Sequence, residues 1–333
     1  MSRIRRASLV ALTLGAAGAC VPQSTLWPAG PSAERIARLT WFLLWLAAVI
    51  YVAVLIVLAM AVVRNRRRDL TVDLTPRSTR LVAIGGAILP GLVLIMIFVV
   101  GISMMGAFPT PTPARQLTIH VTGHQWWWQV DYNYPELQQR FTTANELHIP
   151  VGIPVKVYLT SADVIHSFWV PRLQGKLDVI PGDTNDIRLL ASYAGTYRGQ
   201  CAEFCGMQHA HMAVTVVADP PAQFKQWATN QLAPSHQPAD SLALLGQRLV
   251  VGGPCSLCHT VRGTAALGTV GPDLTHVGSR QTIAAGLMPN TLATLEGWIA
   301  NAQALKPGVQ MPPITQFTGT ELRAVATYIS SLK

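Results

Sequence analysis

The strongest pattern along the chain is a pair of uncharged apolar runs at residues 41–63 and 81–105. At a rise of about 1.5 Å per residue, a helix of either length crosses the roughly 30 Å of hydrocarbon in a bilayer. The alternative, a pair of buried core helices in a soluble protein, fits poorly with two charge-free runs this long. Six arginines lie between the runs, and short arginine-rich loops stay on the cytoplasmic side. We therefore predict a transmembrane hairpin whose two ends, and everything after residue 110, face the outer side.

The first 20 residues have the pattern of an export signal. Arg3, Arg5 and Arg6 precede an apolar run that is too short to span a bilayer. Small residues directly before Cys20 resemble a lipoprotein cleavage site, but Ala17 stands where such sites usually have leucine. Lipidation of Cys20, ordinary cleavage nearby and no cleavage all remain open.

After a proline-rich linker at residues 108–113, the pattern changes to short alternating segments. Residues 116–121 alternate between apolar and polar side chains, and residues 155–159 follow a proline. Residues 212–217 are rich in β-branched side chains. Such segments, separated by turn residues, predict an antiparallel β-sandwich of about 100 residues.

Past a polar stretch at residues 233–240, the apolar periodicity becomes helical. Thr318 and Glu321 form a capping-box pattern ahead of a final helix with one apolar face. We therefore predict a small α domain at the C-terminal end. The predicted division of the chain is a signal peptide at 1–20, a segment with the transmembrane hairpin at 21–112, a β domain at 113–220, a linker at 221–240 and an α domain at 241–333.

Composition and charge agree with a membrane anchor that carries exported domains. The chain has 333 residues, of which 50% are hydrophobic and 12% charged, and a mean hydropathy of +0.32. A basic protein invites the hypothesis of nucleic-acid binding. However, residues 1–112 hold 11 basic and 3 acidic residues, so they carry +8 of the net charge of +9. The positive charge belongs to membrane topology, and we expect no nucleic-acid partner.

Two of the five cysteines have the spacing of a covalent haem site. Cys255 and Cys258 lie in the sequence Cys-Ser-Leu-Cys-His, in which two thioether bonds hold the haem and His259 places an imidazole under the iron. A disulfide or a zinc knuckle is the alternative for the pentapeptide alone. Met311, on a proline-rich loop before the last helix, is favoured over Met288 as the second axial ligand. A thioether ligand raises the haem potential and suits electron transfer.

The segment 199–212 holds a second cluster of soft ligands. Cys201 and Cys205 lie four residues apart, with His209 and Met212 after them, and His166 supplies a second imidazole from another loop. Soft thiolate and thioether ligands suit copper. A mononuclear blue copper site uses one cysteine and two histidines, so the second thiolate indicates a dicopper centre bridged by both sulfurs. The alternative is a disulfide between Cys201 and Cys205.

With these motifs, the chain resembles cytochrome c oxidase subunit II, in the variant of the caa-type oxidases that carries a fused cytochrome c. The resemblance covers essentially everything after the signal and rests on GQCAEFCGMQHAHM, DVIHSF and GHQWWWQ, which occur in the family's order. It implies a multi-domain fold: a two-helix transmembrane hairpin, a cupredoxin-like β-sandwich and an all-α class I cytochrome c domain.

The resemblance also implies roles for individual residues. The implied ligands of the dinuclear CuA centre are His166, Cys201, Cys205, His209, Met212 and the backbone carbonyl of Glu203. In the family, the side chain of the residue matching Glu203 also binds magnesium at the boundary with subunit I. Trp126 matches the residue through which electrons enter from cytochrome c, whereas Trp127 and Trp128 are interpreted as packing aromatics. In a strand, Trp126 and Trp128 face one side and Trp127 the other.

The implied function is an electron relay from an external donor through haem c and CuA to subunit I, where oxygen is reduced to water and protons are pumped. The implied partners are subunit I, subunit III, membrane lipid and a donor such as a cytochrome c or a quinol–cytochrome c reductase complex. The implied location is a bacterial-type plasma membrane, with both termini and both soluble domains on the periplasmic side. Many family members have an acid near the start of the second membrane helix, but the region around Ala83 has none.

Two other functions remain open. The chain is also compatible with the CuA subunit of a nitric oxide reductase type of enzyme, because the catalytic partner is not visible in this sequence. A copper-storage or copper-delivery protein is a third hypothesis, against which the haem signature argues. A quinol oxidase subunit is disfavoured, since that branch lacks the copper ligands.

Overall fold

The computed structural model describes residues 23–65, 76–105, 117–134 and 139–333. The predicted signal peptide with Cys20, residues 66–75 of the arginine-rich segment and the linker at 108–113 lie outside this range. These predictions stay predictions.

Two long apolar helical segments lie in a unit of their own, residues 34–111. Helix α1 spans Pro31–Asn65, and the second segment consists of α2 (Pro76–Ala83), a π-helical turn (Ile84–Ile88) and α3 (Leu89–Met105). Both segments are long and apolar enough to cross a membrane, and the most apolar stretch of each has no buried residue. The π-helical turn ends just before Pro90, which cannot donate a hydrogen bond to the preceding turn.

Ten strands in the described part of the chain form a β-sandwich. Their bounds are β1 Thr118–His124, β2 Trp127–Tyr134, β3 Gln139–Ala144, β4 Glu146–Pro150, β5 Val155–Ser161, β6 His166–Trp169, β7 Leu177–Val179, β8 Asn185–Leu189, β9 Gly195–Cys201 and β10 Ala213–Asp219. One sheet has the order β3-β2-β1-β5-β8, and the other has the order β4-β10-β9-β6-β7. The predicted β-sandwich is confirmed, but the pairs β1–β5 and β4–β10 are parallel, so its sheets are mixed instead of antiparallel. Between the two strands of each pair the chain passes through the other sheet, and it then returns to run beside the earlier strand in the same direction.

The alternating side chains that predicted strands fill the space between the two sheets. Ile119 and Val121 of β1, Val130 of β2, and Val157 and Leu159 of β5 are fully buried. Burying a side chain of this size stabilises a fold by about 1.5–3 kcal/mol. The sandwich therefore has a complete apolar core of its own.

Part of the predicted linker is a structural helix. Helix α4 spans Pro221–Leu232, and its Phe224 and Ala228 belong to the core of the sandwich. Trp227 on the same face stacks on the ring of His148 at a centroid distance of 4.0 Å. Apolar residues at positions i, i+3 and i+4 explain why this segment folds onto the β domain instead of remaining extended.

The C-terminal part of the chain is helical, as the periodicity predicts. It contains α5 (Ser241–Val251), a two-residue strand pair β11 (Thr282–Ile283) and β12 (Met288–Pro289), α6 (Leu292–Leu305) and α7 (Gly319–Ser331). The predicted capping box is confirmed, since Thr318 and Glu321 exchange hydrogen bonds at the start of α7. Helices α5 and α7 cross at Gly246, where an added Cβ atom would lie 2.0 Å from the carbonyl oxygen of Ala324.

Candidate copper and haem sites

The predicted copper ligands come from the ends of three strands in one sheet. His166 begins β6, Cys201 ends β9, and Met212 directly precedes β10. Cys205 and His209 lie on the intervening loop, which includes a short 3-10 turn at His209–His211. Because β6 and β9 are neighbours, the fold brings residues 35 positions apart to one edge of the sheet.

The donor atoms converge at this edge. The sulfurs of Cys201 and Cys205 lie 3.7 Å apart, well beyond the length of about 2.05 Å for a disulfide bond. Nδ1 of His166 lies 3.9 Å from the Cys201 sulfur, and Nδ1 of His209 lies 3.7 Å from the Cys205 sulfur. The Met212 sulfur lies 3.9 Å from the Cys205 sulfur, and the carbonyl oxygen of Glu203 lies 3.2 Å from the Cys201 sulfur.

The two thiols influence each other strongly. The neighbouring Cys205 sulfur lowers the pKa of Cys201 to about 3, and the same neighbour relation raises the pKa of Cys205. Burial opposes the ionisation of both thiols. One thiolate is therefore formed readily, while a second thiolate at this spacing needs a cation between or beside the sulfurs to balance its charge.

His166 is positioned by Asp163 and Gly123, two residues to which the sequence analysis assigned no role. Its Nε2 donates to Oδ1 of Asp163 at 2.8 Å, which leaves Nδ1 to face the sulfurs. Burial lowers the pKa of His166, but hydrogen bonds with Cys201 and Asp163 outweigh burial and raise it overall. An added Cβ atom at Gly123 would lie 2.7 Å from Cδ2 of His166, so the imidazole needs glycine at that position.

This donor set fits copper. His166, Cys201 and Cys205 are all buried, and their ligand atoms lie within 4.8 Å of one another. Two thiols, two imidazoles, one thioether and one carbonyl form a predominantly soft set, which suits copper rather than calcium or magnesium. The side chain of Glu203 is exposed, and its assignment to magnesium stays a prediction.

Trp126 lies in the turn between β1 and β2, not in a strand as the alternation argument assumed. Its indole Nε1 donates to the carbonyl oxygen of Cys205 at 2.9 Å, and its side chain is 8% exposed. The sequence interpretation of its two neighbours as packing residues is confirmed. Trp127 stacks on His124 at 4.4 Å, and Trp128 is buried with its ring 5.5 Å from that of Phe168.

The predicted haem attachment residues lie on one short segment after α5. Cys255 and Cys258 are free and half-buried, and Cys258 follows a 3-10 turn that spans Pro254–Leu257. Nδ1 of His259 donates to the carbonyl oxygen of Pro272 at 2.7 Å. This bond leaves Nε2 available as an iron ligand. Burial lowers the pKa of His259, which favours the neutral ring that a metal needs.

An apolar surface beside these cysteines fits a haem. Leu257, Leu267 and Val270 are 75%, 70% and 63% exposed, and apolar side chains that are exposed as a group mark binding surfaces. A porphyrin is a large apolar ring that would cover such side chains. The thiol spacing, the oriented imidazole and this surface together fit a covalently bound haem.

The two candidate methionines differ in their surroundings. Met288 lies in β12, pairs with Ile283 of β11 and packs against the core of the α domain. Met311 lies on the loop between α6 and α7, half-buried and outside that core. The packing role of Met288 leaves Met311 as the better candidate for the second axial ligand, and this assignment stays a prediction.

The described residues combine two helices apolar enough to cross a membrane, a β-sandwich with a buried soft-ligand cluster and a helical domain with a Cys-x-x-Cys-His segment. These features define a class: membrane proteins with candidate copper and haem sites. Comparison with known proteins agrees with this class. The chain matches the family described as cytochrome C oxidase subunit II, periplasmic domain, over residues 134–219, and the cytochrome c family over residues 243–333.

Full-length relatives are found as well. The chain is 33% identical to the cytochrome c oxidase subunit 2 of Alkalihalophilus pseudofirmus over 317 residues, which is 93% of this chain and 91% of the relative. The subunit 2 of Bacillus subtilis is 27% identical over 332 residues, with 93% and 92% covered. The solved periplasmic domain of subunit II of cytochrome oxidase from Bradyrhizobium japonicum is 32% identical, with 37% of this chain and 100% of that chain covered and a TM-score of 0.34.

The chain belongs to the cytochrome c oxidase subunit II family, in the form that carries a C-terminal cytochrome c domain. It is thus a component of an oxidoreductase of the haem–copper type. The two matched families imply copper and haem as its cofactors, and two apolar helices fit a protein of the membrane.

Proposed function

We propose that the chain carries electrons from an external donor, by way of a covalently attached haem c and a dinuclear copper centre, to subunit I of a terminal oxidase. Oxygen is reduced to water there, and the reaction is coupled to proton pumping. The observation that carries the proposal is the convergence of the six predicted copper ligands at the end of one sheet. The same unit of the chain contains the haem attachment segment.

The copper pair would be held by His166, Cys201, the carbonyl of Glu203, Cys205, His209 and Met212, and the haem would be held by Cys255, Cys258, His259 and Met311. When bound, these groups supply two sites that each accept and release single electrons. The chain itself orients the ligands and buries His166, Cys201 and Cys205 away from water. Asp163 fixes the tautomer of His166, and Pro272 fixes that of His259.

Trp126 is the proposed point at which electrons reach the copper ligands. Its indole N–H is hydrogen-bonded to the backbone of Cys205, so the ring is linked to a ligand residue without an intervening gap. The buried position of the ring keeps this link free of water. Substituting Trp126 would therefore impair electron arrival while leaving the ligand atoms in place.

The remaining parts of the proposal concern the assembly. The partners are subunit I, subunit III and a donor that is a cytochrome c or a quinol–cytochrome c reductase complex. The hairpin lies in a bacterial-type plasma membrane, with both termini and both soluble domains on the periplasmic side. Glu203 contributes to a magnesium site at the boundary with subunit I.

A redox titration of the purified full-length chain, matured with haem and loaded with copper, tests the function. We expect two separate one-electron couples, one with the absorbance of haem c and one with that of the copper centre. Cys205→Ser should abolish the copper couple and leave the haem couple unchanged. A single couple in the unsubstituted chain would contradict the relay.

A further inference from the structure

A fully buried lysine lies where the two soluble domains meet. Lys306, at the C-terminal end of α6, is 1% exposed. Its Nζ donates to the carbonyl oxygens of Trp126 at 2.8 Å, His211 at 2.7 Å and Ala284 at 2.9 Å. Lysine is almost never this buried unless it is partnered, and here all three N–H donors have an acceptor.

The three acceptors belong to different parts of the chain. Trp126 and His211 lie in the β-sandwich, whereas Ala284 lies in the C-terminal domain, as does Lys306 itself. No carboxylate in the described residues forms an ion pair with Lys306. Its role is therefore to join backbone segments of two domains.

The turn after Lys306 lies against the ring of Trp126. The carbonyl oxygen of Pro307 accepts from Nε2 of Gln208 at 2.8 Å. Gly308 has a φ of +90°, and an added Cβ atom there would lie 3.2 Å from the Trp126 ring. Glycine thus permits both the backbone conformation and the close approach, and the turn covers one part of the Trp126 ring while Gly206 of the copper loop lies against another.

A second segment of the C-terminal domain contacts the sandwich beside the copper ligands. The amide of Ala213 donates to the carbonyl oxygen of Ala285 at 2.9 Å, and Nη1 of Arg198 lies 3.3 Å from that of Gly286. Ala284 and Ala285 have φ values of 55° and 60°. This conformation is unfavourable for alanine and persists where surrounding contacts hold it.

We propose that Lys306 is a positioning residue that locks the C-terminal domain onto the β-sandwich, and that the docked turn closes Trp126 to any separate electron-donor protein. Only the exclusion of a donor rests on the proposed function, since docking and the covering of Trp126 are properties of the polypeptide.

Hydrogen–deuterium exchange of the full-length, cofactor-loaded chain tests the lock. Lys306→Met keeps the length and apolar stem of the side chain but leaves three buried carbonyls without a donor. We expect amides in residues 208–216 and 281–289 to exchange at least about tenfold faster, since 1.4 kcal/mol of lost docking is a factor of ten. Amides inside β5, α5 and α7 should keep their protection, which shows that both domains remain folded.

Lys225→Met is the matched control, because Lys225 is exposed on α4 and the substitution is the same. Unchanged exchange in both segments of Lys306→Met would overturn the lock. If Lys306→Met also exposes the interior of α7, Gly308→Ala provides the second variant. It leaves Lys306 intact and should open the same two segments, whereas unchanged exchange there would overturn the docking.

Oxidative footprinting of the unsubstituted chain tests the closure without any variant. Trp27, which is 58% exposed, serves as the accessible reference, and Trp128 as the buried one. We expect Trp126 to react at the rate of Trp128, at least about tenfold slower than Trp27, and reaction at the rate of Trp27 would overturn the closure. Electron paramagnetic resonance of the same sample reports on copper, so a failure of the proposed function is distinguishable from a failure of docking.

Discussion

The copper cluster and the haem segment differ in how far the polypeptide alone completes them. At the copper cluster, the donor atoms lie within about 4 Å of their neighbours, on the edge of a sandwich whose core is full. At the haem segment, Cys255, Cys258 and His259 lie on one short stretch, and aliphatic side chains nearby are exposed. The first site is built by the fold, and the second is completed by its ligand.

The difference follows from the size of the bound groups. Small ions need only a few donors, which rigid strand ends can place without help from the metal. A porphyrin is as large as several side chains, so a domain of about 90 residues that binds one uses it as part of its core. We therefore expect loss of copper to have local effects and loss of haem to affect the whole C-terminal domain.

The largest expected effect separates the two sites directly. Replacing both Cys255 and Cys258 by serine removes the covalent attachment, and the stability that haem binding gives to the folded state disappears with it. We expect the melting temperature of the C-terminal domain to fall by about 10 °C or more, since each kcal/mol shifts a domain of this size by about 4–8 °C. Scanning calorimetry of the full-length chain measures this.

Two results bracket that comparison. Chelation of copper should lower the melting temperature of the β-sandwich by much less than haem loss lowers that of the C-terminal domain. Ser256→Ala, between the two cysteines, is the control for the double serine variant. Equal losses of stability in the two domains would show that the copper cluster depends on its ligand as much as the haem segment does.

A second prediction uses two histidines on the same turn. His209→Gln should weaken copper binding by about 100-fold or more, because residues that merely support a metal ligand already contribute 10–100-fold. His211→Gln should leave binding within about twofold, since its Nδ1 is paired with Gln208 at 2.7 Å and not directed at the sulfurs. Copper titration of the purified variants measures both. Equal effects of the two substitutions would show that the loop does not direct His209, in preference to His211, at the copper site.

Asp163→Asn tests the support behind His166. The amide keeps the shape of the side chain but removes the charge that holds the Nε2 proton. We expect copper binding to weaken by about 10–100-fold. Asp178→Asn, on an exposed position of β7, is the matched control. An unaffected Asp163→Asn protein would mean that the strand alone positions the imidazole.

The smallest expected effect lies away from both sites. Burial lowers the pKa of His148, but hydrogen bonds to Asp219 and Glu146 outweigh burial and raise it above its usual value. The resulting stabilisation is fully present below pH 6.5 and is lost as the pH rises through the pKa of the folded state. Each unit by which the pKa of His148 exceeds its usual value adds about 1.4 kcal/mol to the free energy of unfolding.

Denaturant unfolding between pH 5 and pH 9 measures this dependence. His148→Gln should flatten the fall in the free energy of unfolding, and His120→Gln, on an exposed position of β1, should preserve it. If the free energy of unfolding of His148→Gln still falls by the same amount as the pH rises, another titratable group causes the fall.

Sequence patterns predicted what is local. The copper loop and the haem segment each place most of their predicted ligands within a dozen residues, so their spacing indicates which chemistry to expect. The capping box of α7 is local for the same reason. The membrane helices follow from apolar length, and Pro31–Asn65 contains the whole run predicted at 41–63.

Features that depend on distant residues were not predictable in the same way. Gly123 makes room for His166 only because β1 and the loop before β6 meet in the fold. Lys306 looks like an ordinary surface lysine at the end of a helix, and its three acceptors lie 22, 95 and 180 positions away. Trp126 lies in a turn and not in a strand, and the run of three tryptophans in the sequence gives no signal for that turn.

Electron paramagnetic resonance of the full-length chain, loaded with copper, shows whether the chain holds a dinuclear copper centre. We expect a hyperfine pattern from one electron shared equally by two coppers, since the sulfurs of Cys201 and Cys205 lie 3.7 Å apart and could both bind the same metal pair. A single-copper pattern, or no copper signal together with a disulfide between Cys201 and Cys205, would show that the proposed centre does not form.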